Sequence, residues 1–393
     1  MGKLSDGPLT LRQRGAQGGL KDVSRLIEVL VIVFAAQAAS CNDAPARPSS
    51  GTGAADGSSP MHGGPEGGPA GGGPPAPVDA AEGGTGTAAE TPDRPAPSAD
   101  AADGPAEAPE DAPHTSPLEG MGTVELVRGG FDFVEGARWV PALSSYLLSD
   151  PYGVTIYMLT PPSQFDPFRM MSNGANALDL DSTGHLVTAE CGAMQCQVKG
   201  AVTRRGDDGT WSDAIKDYRG LAIQNPNDIA ALPDGSLVFS DTGVAHQLLR
   251  VDPQGALSYA LPTDTGVDTG LNGITLSPRK EVLYVGYNVQ RLIRAFDVQP
   301  SGLTGMRTVV AMTESTPDGM CVDLDGNLYV GTVAGVQVFD PRSGNLWGVI
   351  TLPGLGPGDR VSECAFADAD AKTLYISAVS KLYRVRLARP GVY

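Results

Sequence analysis

Six side chains with oxygen donors recur at a nearly constant distance ahead of six short apolar segments. Each lies ten or eleven residues before its segment, and the six are Glu135, Asn176, Asn227, Asn272, Asp318 and Glu363. None of them is His, Cys or Lys. Sites built only from oxygen donors suit hard divalent cations, and a loose set that includes carboxylates favours Ca²⁺. The pattern therefore predicts a divalent-metal site, with Ca²⁺ as the expected ion and Mg²⁺, Zn²⁺ or Mn²⁺ as alternatives.

Local turn chemistry is an alternative interpretation of the same residues. Asn and Asp are common in turns because their side chains hydrogen-bond to the nearby backbone. That preference explains one or two such positions, but it does not explain six at one spacing. We therefore expect the six side chains to occupy equivalent positions in a repeated fold.

The apolar segments that follow these residues form an internal repeat. Their first residues are 40, 51, 46, 45 and 46 positions apart. The segments are Tyr146–Asp150, Leu186–Glu190, Leu237–Asp241, Leu283–Tyr287, Leu328–Thr332 and Leu374–Ala378. Repeats of about 40–50 residues, each made of several short strands, are typical of β-propellers. The sequence therefore predicts an all-β, six-bladed β-propeller whose equivalent side chains converge on the central axis, with the last blade completed by a strand from residues 122–128.

Charge and composition are distributed unevenly along the 393 residues, whose formal net charge is −17. Residues 42–118 contain 15 Pro, 14 Gly and no aromatic residue, and they carry a charge of −10. Such a segment cannot bury enough apolar surface to offset its ordering entropy. We therefore predict a disordered linker over residues 42–118 and a propeller over residues 119–393. The acidic balance disfavours nucleic acid as a partner.

Residues 1–41 have the pattern of an export signal. Five Lys and Arg residues precede the apolar run Val29–Ala36, and the small residues Ala38–Ser40 lead to Cys41. This order is typical of a signal peptide, and the run is too short to span a bilayer well. Cys41 resembles the lipidated cysteine of bacterial lipoproteins. We expect an exported protein held at the membrane of the cell envelope by a lipid on Cys41, with an ordinary signal peptide as the alternative.

Four further cysteines have different surroundings. Cys191 and Cys196 are close enough in sequence to form a disulfide, although a buried thiol at Cys191 is an alternative. Cys321 and Cys364 lie in apolar strand patterns, which favour buried thiols. No C-x-x-C pair is present, which disfavours a structural zinc site.

Four motifs resemble those of the senescence-marker-protein/gluconolactonase (regucalcin-like, SGL) family. They are Phe133–Trp139 with its Glu-Gly pair, Pro226–Asp228, Leu271–Gly273 followed by Ser277-Pro278, and Pro317–Met320. The resemblance covers about residues 125–390. Members of that family are six-bladed propellers that hydrolyse lactones with a divalent metal in the central channel.

The resemblance implies roles for individual residues. Glu135, Asn272 and Asp318 would bind the metal, and Asn227 would lie near the metal or contact substrate. Asn176 and Glu363 would line the channel. Independently of the resemblance, we predict that Asn176, Asn227 and Asn225 contact substrate. The sequence departs from the family pattern at Cys191, where bacterial members usually have His, and at Glu363, where Asn is usual.

Lactone hydrolysis requires a polarised carbonyl, a water nucleophile and a proton acceptor. A bound cation would polarise the carbonyl, Asp318 is the predicted base, and Glu363 is a second candidate catalytic residue. The expected substrate is a small-molecule lactone or ester, and the expected state is a monomer. The alternative function is a non-catalytic propeller that binds a ligand and carries a structural metal.

Overall fold

The computed structural model describes residues 115–192, 199–243, 246–261, 270–356 and 358–393. These residues form antiparallel β-sheets of four strands each, six in number. Apart from one short 3₁₀ helix at Pro141–Leu143, the named elements are strands. The predicted all-β, six-bladed propeller is therefore confirmed.

Blades 1 to 3 follow the order of the chain. Blade 1 contains β2 (Ala137–Val140), β3 (Ser145–Asp150), β4 (Thr155–Thr160) and β5 (Gln164–Met170). Blade 2 contains β6 (Ala175–Leu180), β7 (Leu186–Glu190), β8 (Ala201–Arg205) and β9 (Trp211–Asp213). Blade 3 contains β10 (Pro226–Ala231), β11 (Leu237–Asp241), β12 (Gln247–Val251) and β13 (Leu257–Tyr259).

Blades 4 to 6 continue the same order. Blade 4 contains β14 (Leu271–Leu276), β15 (Val282–Tyr287), β16 (Leu292–Gln299) and β17 (Gly302–Ala311). Blade 5 contains β18 (Met320–Val322), β19 (Leu328–Thr332), β20 (Gly335–Asp340) and β21 (Asn345–Ile350). Blade 6 contains β22 (Val361–Ala367), β23 (Thr373–Ala378), β24 (Lys381–Arg386) and β1 (Glu125–Gly129).

The sixth blade takes its outer strand from the beginning of the described chain. β1 pairs antiparallel with β24 and places Glu125 opposite Arg384, and the two side chains form an ion pair of 2.9 Å. Blade 6 also contacts blade 1 nearer the axis, where the Ser362 hydroxyl donates to the Val134 carbonyl at 2.7 Å. The strand that closes the propeller therefore begins three residues later and ends one residue later than the predicted range 122–128.

The six apolar segments of the sequence are the second strands of the six blades. They correspond to β3, β7, β11, β15, β19 and β23, with bounds that agree to within one residue. Most of their side chains are buried because both faces of each sheet pack against a neighbouring blade. Tyr146 of blade 1, for example, stacks on Tyr375 of blade 6 with ring centroids 4.5 Å apart.

The cysteines occupy the interior. Cys191 is disulfide-bonded and fully buried, whereas Cys196 lies outside the described residues. Cys321 and Cys364 are buried free cysteines, as the sequence predicted, and their sulfur atoms are 2.6 Å apart across the seam between blades 5 and 6.

The predicted export signal, Cys41 and nearly all of the predicted linker also lie outside the described residues. No helix in the part of the chain that the structure describes has the length and apolar character needed to cross a membrane.

Candidate active site in the central channel

The six predicted side chains lie at the start of the innermost strands. Asn176, Asn227, Asn272 and Glu363 belong to β6, β10, β14 and β22, and Glu135 and Asp318 come two residues before β2 and β18. In four blades the register with the second strand shifts at or next to these residues. Bulges of this kind redirect a side chain away from the regular alternation of a strand. They explain how one position in each blade can face the channel.

Glycine follows three of these residues because neighbouring inner strands approach closely there. A Cβ at Gly136 would lie 2.3 Å from the Asn176 carbonyl oxygen, and one at Gly273 would lie 2.1 Å from the Asp318 carbonyl oxygen. A Cβ at Gly319 would lie 2.5 Å from the Ser362 carbonyl oxygen. The Glu-Gly, Asn-Gly and Asp-Gly pairs of the sequence are therefore packing requirements of the channel wall.

The side chains divide into two groups. Three consecutive blades, 5, 6 and 1, contribute carboxylic acids, and we call Asp318, Glu363 and Glu135 the acidic arc. The next three blades contribute amides, and we call Asn176, Asn227 and Asn272 the amide arc. The division follows from blade closure, which makes Glu363 of the last blade a neighbour of Glu135 of the first.

The acidic arc is buried. Glu135, Asp318 and Glu363 are each less than a tenth exposed. Burial raises the pKa of Glu135 well above its ordinary value, and the Asp318 charge raises it further. Burial likewise raises the pKa of Glu363, to which the Asp228 charge adds. Ionising these groups is unfavourable unless a positive charge is close to them.

Arg360 supplies one such charge, and the sequence reasoning missed it. Its Nε donates to Asp318 Oδ2 at 3.0 Å, and its guanidinium lies 5.9 Å from the centre of the Phe133 ring. Burial raises the pKa of Asp318 in spite of this partner. A basic residue three positions before Glu363 was the available sequence signal, but nothing in the repeat marked it.

The amide arc is held by hydrogen bonds within the protein. Asn176 Nδ2 donates to the Asn227 backbone carbonyl at 3.2 Å, joining blades 2 and 3. The Asn272 side chain hydrogen-bonds to Asp318 and lowers its pKa in opposition to burial. Asn227 and Asn225 are half-buried, and the backbone N–H of Asn225 donates to the Asp241 carboxylate. Amides in this arrangement can orient the hydroxyl groups of a polar ligand.

Asp228 is a second residue that the sequence reasoning did not assign. Its Oδ1 accepts from the Ile229 amide at 2.7 Å, and its Oδ2 accepts from the Ile274 amide at 2.6 Å. Burial is the main reason that its pKa is raised to about 7. Asp228 therefore links blades 3 and 4 below the amide arc and titrates near neutral pH.

Two further aspartates position the loops that lead into the channel. Asp150 accepts hydrogen bonds from the amides of Asp132, Phe133 and Gly153, and so holds the segment before Glu135. Asp241 accepts from the amides of Gln224, Asn225 and Gly243. It performs the equivalent task before Asn227. Both are the last residues of second strands, which identifies a repeated structural role.

A cavity of about 70 Å³ continues the channel beyond the six side chains of the acidic and amide arcs, which we call the ring residues. Asp228 and Glu363 line it together with Arg138 and Asp179, which form an ion pair of 2.8 Å. Tyr393 lies at this cavity as well. The part of the channel that these residues line is therefore polar.

The channel thus brings together all six ring residues of the sequence analysis. Within the described ranges, no three His, Cys, Asp or Glu side chains lie close enough to hold a metal ion by themselves. Asp318 is the charge that raises the pKa of Glu135 most, and the Asn272 amide is bonded to Asp318. The charges of Asp228 and Glu135 likewise raise the pKa of Glu363. Two carboxylates and an amide are donors that hard divalent cations accept.

Comparisons with known proteins agree with this architecture. A gluconolactonase of Zymomonas mobilis is 26% identical over 306 residues, covering 67% of this chain and 81% of that protein. Regucalcin of Danio rerio is 34% identical over 113 residues, which is 37% of that protein. A solved structure of a Xanthomonas campestris gluconolactonase superposes with a TM-score of 0.59 at 26% identity, over 68% of this chain and 89% of that one.

The family assignment depends on a still broader match. The family model described as the SMP-30/gluconolactonase/LRE-like region matches residues 133–380, a span that includes five blades and two of the four strands of the sixth. All six ring residues and Arg360 fall inside it. The chain belongs to the SMP-30/gluconolactonase/LRE-like family.

Proposed function

We propose that this protein is a divalent-metal-dependent hydrolase that opens the ring of a sugar lactone or a related small ester. The observation that carries the proposal is the buried pair of carboxyl groups, Glu135 and Asp318, coupled to each other in the channel. Family membership and the resemblance to gluconolactonases support this activity.

A divalent cation fits this part of the channel. Glu135 and Asp318 each make the other harder to ionise when no cation is present, and a double positive charge would reverse that effect. Glu135, Asp318 and Asn272 would hold the cation, with Asn227 as a further donor. Ca²⁺ is the expected ion because the donors are all oxygens on separate strands, which suits a large cation with flexible geometry. When bound, the cation would polarise the lactone carbonyl.

The remaining chemistry falls to the side chains. Asp318 accepts a proton from the attacking water as the water oxygen bonds to the carbonyl carbon. The ring C–O bond then breaks, and the proton passes to the departing alkoxide, which leaves a hydroxy acid as product. Glu363 is the alternative base because it also lines the channel. The Asn176 and Asn227 amides, with Asn225 at the loop, orient substrate hydroxyl groups.

The test measures hydrolysis of a lactone panel by the purified protein, with added Ca²⁺ and with a chelator. We expect turnover that requires the metal and is lost in Asp318→Ala. Asp370→Ala is the matched control, since this exposed carboxylate pairs with Arg386 at the rim of blade 6 and its variant should keep full activity. An active, metal-independent Asp318→Ala protein would disprove the assignment.

A binding propeller is the second candidate function. Cys191 occupies the position where bacterial members of the family usually have a histidine. Its sulfur is buried and disulfide-bonded, so it can act neither as an acid nor as a base in catalysis. Thermal stabilisation by Ca²⁺ without turnover of any lactone would favour this alternative.

We also propose that the protein is exported and anchored through a lipid on Cys41, with residues 42–118 as the tether. The signal pattern of residues 1–41 supports this proposal. Cys41→Ala should move the protein from the membrane fraction to the soluble fraction. A variant that remains unprocessed and membrane-bound in the same amount would contradict lipidation.

A further inference from the structure

Arg360 has a second binding capacity beyond its contact with Asp318. Its Nε makes the hydrogen bond to Asp318 Oδ2, whereas its Nη1 and Nη2 make no hydrogen bond to any described residue. The side chain is 35% exposed, so it remains accessible to a ligand from solvent. A guanidinium has a fork of donors that matches the two oxygens of a carboxylate.

The surroundings hold this guanidinium in place. It lies 5.9 Å from the centre of the Phe133 ring, and Phe133 stacks on Tyr152 with centroids 5.1 Å apart. Asp150 holds the backbone of both residues in place, because it accepts hydrogen bonds from the amide of Phe133 and from that of Gly153, which follows Tyr152. Arg360 is therefore placed against an aromatic wall next to the carboxyl groups that the proposed function assigns to the metal.

Charge balance indicates what the fork binds. Without a divalent cation, the guanidinium neutralises Asp318. A bound divalent cation would neutralise Asp318 and Glu135 together, which leaves the positive charge of Arg360 without a partner beside the ligand. A partly buried charge is unfavourable unless it is paired. A neutral lactone offers no charged partner, whereas a lactone that bears a second, free carboxylate does.

We propose that Arg360 recognises a carboxylate on the substrate, so that the substrates of this protein are lactones of acidic sugars. This inference rests on the proposed function, since it names the substrate class of the same site. It also implies that cation and anion bind cooperatively, because the cation releases Arg360 from Asp318.

The first test compares two lactones that differ at one carbon. D-glucaro-1,4-lactone carries a carboxylate where D-glucono-1,4-lactone carries a hydroxymethyl group. Wild-type protein with Ca²⁺ should prefer the charged lactone in kcat/KM by about 10- to 100-fold, as expected for a charge-assisted hydrogen-bonded pair. Arg360→Met should remove this preference, so that kcat/KM for the charged lactone falls to about the value for the neutral one.

The second test measures binding without turnover. Methyl D-glucopyranosiduronate and methyl D-glucopyranoside form a similar pair that this chemistry does not hydrolyse. The charged glycoside should raise the melting temperature of wild-type protein more than the neutral one, and only when Ca²⁺ is present. Arg360→Met should respond equally to both glycosides.

Matched variants separate this role from a structural one. Arg384 has the same 35% exposure and pairs with Glu125 on the outer strands of blade 6, so Arg384→Met should keep the wild-type preference for charge. Arg360→Lys retains the charge without the planar fork, and should keep part of the preference even if Arg360→Met fails to fold.

Three results would overturn the inference. The first is an equal fall in kcat/KM for both lactones in Arg360→Met, and the second is an unchanged preference for the charged lactone in that variant. The third is a wild-type protein that does not distinguish the charged ligand from the neutral one. If wild-type protein hydrolyses neither lactone, the proposed hydrolase activity fails, while the two glycosides still decide whether Arg360 binds a carboxylate.

Discussion

The acidic arc and the amide arc occupy equivalent positions in six similar blades, yet they meet different physical demands. Two amides of the second group have partners within the protein, since Asn176 donates to the Asn227 backbone carbonyl and Asn272 bonds to Asp318. The carboxyl groups of the first group are buried, and two of them raise each other's cost of ionisation. The amides are neutral and need no counter-charge, whereas the carboxyl groups require positive charge from Arg360 or from a cation when they ionise. The repeat fixes where a side chain points, whereas its chemical type decides whether a ligand is needed.

The largest effect we expect comes from crowding the inner strands within the acidic arc. Gly319→Ala would place a Cβ 2.5 Å from the Ser362 carbonyl oxygen and 2.6 Å from the Glu363 side chain. The free energy of unfolding should fall by about 3 kcal/mol or more, since backbone must move. Urea denaturation measures this change.

Two positions serve as references for that variant. Gly356→Ala adds a Cβ whose nearest neighbour is an Asp359 carboxylate oxygen at 3.5 Å, and it should change stability by less than about 0.5 kcal/mol. The equivalent position in blade 2, on the amide arc, already carries the Cβ of Ala177. A Gly319→Ala protein as stable as Gly356→Ala would show that the inner strands of the acidic arc can separate freely.

The second prediction removes one charge from the acidic arc. Glu135→Gln keeps the shape of the side chain but lowers the charge offered to a cation, so Ca²⁺ affinity should fall by about 100-fold. Asn176→Ala on the amide arc should lower it by less than about tenfold. Calorimetric titration of the two variants provides the comparison, and equal losses would mean that Asn176 contributes as much to cation binding as Glu135.

The third prediction separates the loops that precede the two arcs. Asp150→Ala removes the acceptor of the Asp132 and Phe133 amides, and the looser loop before Glu135 should weaken Ca²⁺ binding by about tenfold. Asp241→Ala loosens the loop before Asn227 instead, and should raise KM by a similar factor. Its effect on Ca²⁺ affinity should be smaller than that of Asp150→Ala, since Asn227 is only a further donor to the cation. Exchanged effects would contradict the division of roles.

The most gradual expected effect is a pH dependence of stability in the absence of metal. Burial raises the pKa of Asp228 to about 7, whereas an unfolded aspartate titrates near pH ~4. The folded state therefore binds the proton more tightly, and the stabilisation present below pH ~4 is lost as the pH rises through about 7.

Denaturation at several pH values tests this dependence. Asp228→Asn should flatten the slope by at most about 1.4 kcal/mol per pH unit, the value for one proton. Saturating Ca²⁺ should also reduce the slope, because the cation favours ionised carboxylates of the neighbouring acidic arc. Identical slopes in wild type and Asp228→Asn would show that Asp228 has the same pKa folded and unfolded.

Much of the fold was predictable because a propeller repeats a short local pattern. The second strands β7, β11 and β19 begin and end where the apolar segments do. Both faces of these strands are buried between neighbouring blades, which makes their sequences apolar at successive positions. The ring positions followed from the same spacing. Their roles as metal and substrate ligands stay predictions that the variants above address.

Other parts of the site had no sequence signal. Arg360 lies in a loop outside the repeated pattern, and its contact with Asp318 joins residues 42 positions apart. Asp228 was visible in the Pro-Asn-Asp motif, but its bond to the Ile274 amide depends on how blade 3 packs against blade 4. A pattern within one repeat cannot report a contact between two repeats.

By itself, the sequence determined the number of blades, the strands that build their interiors and the six side chains that face the axis, because each of these depends on residues close together in the chain. Only the tertiary structure decided which of those side chains become neighbours. Closure of blade 6 on blade 1 places Glu363 beside Glu135, although 228 residues separate Ser362 from Val134, whose carbonyl accepts the Ser362 hydroxyl at that seam. Because these neighbouring carboxyl groups are buried, their pKa values are raised, and ionising them requires a positive charge nearby. For this reason the acidic arc, rather than the neutral amide arc, is the part of the channel that needs a cation.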